Sequence, residues 1–148
     1  MQVTHPKKEA DKMQPKAKAP DFLRSPCAIA CTLDLIGDKW SLLVVRDLLR
    51  GDVTYSELQN SPEGIPTNIL ADRLKKLEQA GVIGKSAYQE HPVRYVYRLT
   101  EKGRGLSEVL GAVVRWGQKH IPGTVALLRP GGQVEPVQKL AGKRERNS

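Results

Sequence analysis

Apolar side chains recur at helical spacing over several stretches of this chain, alternate over one, and thin out at both ends. Ser25 followed by Pro26 marks a helix start, a hydroxyl to cap open amides and a ring whose φ is already helical. The first helix is predicted over residues 26–36 and stops at Gly37. Trp40, Leu42, Leu43, Val45, Leu48 and Leu49 give a second helix that runs to Gly51. A short third helix, over about 55–60, leads into Ser61-Pro62-Glu63-Gly64. Residues 67–80 then form an amphipathic helix with Leu70, Leu74 and Leu77 inside, closed by Gly81.

Beyond Gly81 the period falls to two. Ile83, Lys85 and Ala87 define one strand, residues 89–92 a turn, and Tyr95, Tyr97 and Leu99 a second strand. A last helix starts at the cap Thr100, carries the stripe Leu106, Val109, Leu110, Val113 and Trp116, and ends near His120. Three helices, a recognition-type helix, a hairpin and a closing helix, in that order, make up a winged helix-turn-helix. The class is mainly α (α+β) with a two-stranded wing. Tyr95 and Tyr97, two apart, are placed on one sheet face with Leu99 as core, and Trp40 and Trp116 as core or dimer packing.

Length and composition narrow the setting. A chain of 148 residues with 39% hydrophobic residues supports one modest domain. We expect it over residues 21–122, between a disordered basic arm at 1–20 and a basic, flexible tail at 123–148. No apolar run approaches the roughly eighteen residues of a membrane span, and residues 1–20 have no apolar targeting core. Two cysteines four positions apart do not make a secreted disulfide framework. A cytoplasmic protein without membrane attachment is the expectation.

The net charge of +8 lies mostly in the ends, with five lysines in residues 1–20 and four basic residues in 139–148. Residues 66–104 nevertheless hold eight basic side chains against Asp72, Glu78, Glu90 and Glu101. Positive charge concentrated in one stretch of a compact domain is the footprint of a polyanion binder. On the helix at 67–80, Thr67 and Asn68 suit base edges, Asn pairing bidentately with adenine, while Arg73, Lys75 and Lys76 suit phosphates. A solvated helix face, with Asp72 and Lys76 paired one turn apart, accounts for the same residues. Arg94 directly after the turn, flanked by Lys85 and Arg98, places a cation where a wing tip meets a groove.

Cys27, in the first turn of a helix with Arg24 close by, has the setting of a thiol favoured as thiolate, and Cys31 lies one turn on. The alternative is two small core thiols. No His or carboxylate has metal-ligand spacing to them, so no metal is expected. There is no phosphate-cradling glycine loop, H-E-x-x-H or G-x-S-x-G, and His5, His91 and His120 fall in an arm, a turn and a helix end. Neither a catalytic residue nor a cofactor is expected. A winged helix serving protein assembly and a thiol enzyme are the rival readings, and the basic stretch argues against the first.

Cys27-Ala-Ile-Ala-Cys-Thr-Leu-Asp-Leu-Ile-Gly-Asp-Lys-Trp40, Arg46-Asp-Leu-Leu, Tyr55-Ser-Glu-Leu58, Gly64-Ile-Pro-Thr-Asn-Ile-Leu-Ala-Asp-Arg-Leu74 and Tyr97-Arg-Leu-Thr-Glu-Lys-Gly103 together resemble the HxlR-type family of bacterial transcription regulators, over about residues 22–120. The resemblance implies a MarR-like homodimer joined through the first and last helices. It implies an inverted-repeat operator in double-stranded DNA, and the simplest action of a bound dimer is repression. It also implies that Cys27 senses oxidants or electrophiles, or that a small molecule acts as effector. Ala28 stands where the family usually has Pro. There is no third cysteine, so an intersubunit disulfide would join Cys27 or Cys31 to the same pair in the partner.

Overall fold

The computed structural model describes residues 23–127; the proposed basic arm and most of the tail lie outside them. The elements run α1 (Ala28–Ile36), α2 (Ser41–Leu48), β1 (Val53–Thr54), α3 (Tyr55–Gln59), α4 (Thr67–Gln79), β2 (Ile83–Glu90), β3 (Val93–Leu99), α5 (Glu101–Arg104) and α6 (Leu106–His120). This is the winged helix-turn-helix read from the periodicity, with α3 and α4 as the helix pair and β2–β3 as the wing.

One core holds it together. Val44, Val45 and Leu48 of α2, Leu58 of α3, Leu70, Leu74 and Leu77 of α4, and Val82, Ile83 and Leu99 of the sheet are all buried, with Leu110 of α6 and Ile65 closing the edges. Complete burial of an aliphatic side chain stabilises by about 1.5 to 3 kcal/mol, so this cluster is what fixes α4 against the sheet. Gly81 ends α4 at φ 74, a left-handed conformation that glycine adopts without a Cβ penalty. The amide of Val82 returns to the carbonyl of Leu77 at 2.9 Å and that of Gly81 to Glu78 at 3.0 Å, turning the chain directly into β2.

The structure departs from the sequence reading in four places. Val53 and Thr54 pair with Tyr97 and Val96, so the wing belongs to a three-stranded antiparallel sheet of order β1-β3-β2. Two residues are too short for a period to register. The last helix is divided at Gly105, where Gly103 and Gly105 lower helix propensity in its opening turn. The first helix starts two residues late: Cys27 is its N-cap residue, and Ser25 Oγ accepts the Cys27 amide at 3.2 Å instead of capping a turn begun by Pro26. Tyr97 packs on the core as expected, but Tyr95 is exposed, because β1 reaches only Val96 and Tyr97 and the hairpin projects past the body. Of the two expected placements for the tryptophans, core or dimer packing, Trp40 packs against the core, and Trp116, 62% exposed, is left with the second.

Candidate nucleic-acid interface

α4 presents two unlike sides. Leu70, Leu74 and Leu77 face the core, while Thr67, Asn68, Asp72, Lys75, Lys76 and Gln79 are exposed along the opposite side. Its N-cap is Pro66, which has no side chain to bond the first amides. α3 supports this end from behind: the Tyr55 hydroxyl donates to the Thr67 carbonyl at 3.0 Å, and Gln59 Nε2 to Thr67 Oγ1 at 3.4 Å. α3 itself is started by a capping box, Thr54 Oγ1 accepting the Glu57 amide at 3.2 Å and Glu57 Oε1 the Thr54 amide at 3.4 Å.

The predicted contact residues separate into two groups. Thr67, Asn68, Lys75, Lys76 and Arg94 are exposed, and Lys76 makes the expected one-turn pair with Asp72 at 3.2 Å. Arg73, Lys85 and Arg98 are tied to acidic residues of other elements, although Lys85 and Arg98 are themselves exposed. Arg73 is half-buried between Asp72 at 3.2 Å and Asp38 at 3.4 Å. Lys85 pairs with Glu78 at 3.7 Å and lies 4.7 Å over the Tyr95 ring, and Arg98 bonds Asp52 at 3.2 Å and Ser86. Arg94, next to the wing turn, has no such partner among the described residues and borders a groove of about 380 Å³ between the wing and the start of α3. All four tyrosines of the chain line that groove, together with Thr54 and Ser56. The hydroxyls of Tyr55 and Ser56 were not singled out by sequence. The Thr54-x-x-Glu57 box, which places them at a helix start beside α4, is the signal that marks them.

Beneath the interface is an ionic cluster that charge counting does not reveal. Arg46, on α2 and only 6% exposed, donates to both oxygens of Glu63 at 2.6 and 2.7 Å, to Asp47 at 3.0 Å and to Ser61 at 3.2 Å. Burial disfavours the Arg46 charge, but these carboxylates outweigh it and raise its pKa. Hydrogen bonds from Arg46 hold Glu63 below the usual carboxylate range. Asp38 is also held low: burial opposes its charge, but bonds from Ser41 and from the Trp40 amide, with the Arg73 charge, win.

At the other end of the domain, Cys27 is exposed and Cys31 half-buried, with Cys31 Sγ 3.2 Å from the Ser25 carbonyl. Core packing therefore does not account for Cys27. The amides of Ala30 and Ile29 that face its sulfur lower its pKa below the ordinary thiol value. Arg24, expected to help, instead pairs with Asp34 at 2.7 Å. Among the described residues no cluster of His, Cys, Asp and Glu could hold a metal ion, and no helix is long and apolar enough to cross a membrane.

The pattern of the HxlR-like helix-turn-helix family matches residues 35–124. The HTH-type transcriptional regulator YvaP of Bacillus subtilis is 35% identical over 89 residues, which are 60% of this chain and 82% of that protein. A regulator of the same kind from Mycobacterium bovis, Mb3122, is 33% identical over 95 residues, and the match spans 60% of its length. Among solved structures, the reduced form of the transcriptional regulator YodB from B. subtilis superposes with a TM-score of 0.57 at 28% identity, covering 68% of this chain and all of that one. YodB has also been solved after diamide treatment.

Proposed function

The chain belongs to the HxlR-like helix-turn-helix family of transcriptional regulators, and from that premise we propose that it acts as a homodimeric repressor on an inverted-repeat operator, tuned by thiol chemistry at Cys27. The observation that carries the DNA reading is the exposed polar and basic side of α4 together with the exposed Arg94 of the wing. Thr67 and Asn68 meet base edges, and Lys75, Lys76 and Arg94 meet phosphates, with the Ser56 hydroxyl on the backbone between helix and wing. Lys85 and Arg98 reach the backbone if they exchange their present partners for phosphate. The domain occupies 21–122, and the basic segments at 1–20 and 123–148 add sequence-independent attraction.

The homodimer is supported by α1 and α6, whose apolar residues Ile29, Leu33, Val113 and Trp116 are exposed. A second copy covering them sets two α4 helices a fixed distance apart, which an inverted repeat matches. Thiol tuning is supported by the exposure of Cys27 and its lowered pKa, and by the diamide-treated structure of YodB. Oxidation or alkylation at the start of α1 would act on the interface helix.

Selection of genomic DNA fragments by the reduced full chain at near-physiological salt, repeated after diamide, tests this function. One inverted repeat enriched when reduced and lost after diamide is the expected result. Enrichment unaffected by diamide, with Cys27 unmodified by mass spectrometry, removes the thiol switch. Absence of enrichment in either state favours a protein-assembly module.

A further inference from the structure

We propose that α2 is the frame that sets the pose of the recognition helix, through two ion-pair pins, and that Arg73 is a positioning residue there instead of a phosphate ligand. This rests on the DNA-binding reading above. The first pin is Arg46, which leaves α2 nearly buried and grips Glu63 with both terminal nitrogens, at 2.6 and 2.7 Å, while Ser61 accepts a further bond at 3.2 Å. Ser61 and Glu63 lie in the turn between α3 and α4, so the turn that sets the angle between those helices is bonded to α2 by a planar, forked cation. Asp47 holds the guanidinium from the other side at 3.0 Å.

The second pin is Asp38, which precedes α2. One carboxylate oxygen takes the amides of Trp40 and Ser41 at 2.9 and 3.0 Å, and the other faces Arg73 at 3.4 Å. Arg73 extends from the side of α4 turned away from Asn68 and Lys75, and its Nε is buried without a partner among the described residues. A guanidinium that reached a phosphate would abandon both Asp38 and Asp72. The two pins hold α4 before its start and near its middle, which fixes both tilt and rotation relative to α2. Base reading needs bidentate geometry and is sensitive to such a pose, whereas attraction to phosphates is not.

The test uses the full chain, the duplex it enriches, and a scrambled duplex of equal length, with affinities measured over a range of salt. Asp38→Asn keeps an oxygen for the Trp40 and Ser41 amides and replaces the oxygen that faces Arg73, which also accepts from Ser41 Oγ, with an NH2 that cannot pair with Arg73. Glu63→Gln weakens the first pin, and thermal melting shows that each variant is folded. We expect each variant, and Arg73→Gln, to lose about tenfold or more on the selected duplex, to bind the scrambled duplex within about twofold of wild type, and to keep the same salt slope. Equal effects on the two duplexes for Asp38→Asn overturn the proposal. So does a salt slope lowered by about one for Arg73→Gln, which places Arg73 on a phosphate. Failure of the wild type to prefer its selected duplex overturns the DNA reading instead, and shows before any variant is measured.

Discussion

A methyl group on Gly103 would sit on top of the Val82 carbonyl oxygen and 3.0 Å from Leu99 Cδ2. That carbonyl already accepts the Thr100 amide at 3.1 Å, so it has no room to withdraw. Gly103→Ala should therefore destabilise by about 1 to 3 kcal/mol, the usual cost of overfilling a packed site, despite alanine's higher helix propensity. Thermal melting checks this, and a raised melting temperature would show that the α5 turn moves freely. Asp38 and Glu63 permit a second prediction at this scale. Both have depressed pKa values in the fold, so the stability they contribute is present above the unfolded carboxylate value, about 4, and is lost as pH falls through their lower folded values. The melting temperature should be steady from neutral pH to about 5 and fall below about 4, with a shallower fall in Glu63→Gln. An equally steep fall in that variant would remove Glu63 from the account.

The wing and the recognition helix should fail in different ways. Arg94 stands at the exposed end of β3, and on the proposed reading it meets a backbone common to every sequence, so Arg94→Ala should weaken selected and random duplexes alike and lower the salt slope by about one. Asn68→Ala should weaken only the selected duplex, by about 1 to 3 kcal/mol at one base position. Equal losses from Asn68→Ala on both duplexes would move it to the phosphates. These elements were legible because their periods are long and unbroken: thirteen residues of α4 and the alternation of β3 gave their boundaries to within a residue or two. β1 was not legible, because its two residues become a strand only by pairing with Tyr97 and Val96. Nor were the partners of Arg73, Lys85 and Arg98. A count of charges cannot say that Asp38, Glu78 and Asp52, as many as 46 positions away, come back to meet them.

At the scale of the molecule, the distribution of apolar surface calls for a partner. Ile29 is 71% and Trp116 62% exposed, and Leu33, Val109 and Val113 continue the same character on the same two helices, while only Leu110 of α6 is buried. Scattered single apolar residues are normal at a surface, but a stripe on α6 matched by one on α1 is what interfaces leave exposed when alone. Covering one such side chain is worth about 1.5 to 3 kcal/mol, and twofold symmetry counts every residue twice. If the proposed dimer uses this stripe, Trp116→Glu should convert it to monomer in sedimentation velocity. The subunit should remain folded in thermal melting, because Trp116 is 62% exposed and its ring stacks on His120 at 5.0 Å. Operator affinity should then fall by at least about tenfold, since each half-site must be bound without the effective concentration the second subunit supplies. A Trp116→Glu chain that stays dimeric and keeps its operator affinity would place the interface on a different surface, and would leave the exposed stripe of α6 as the seat of another partner.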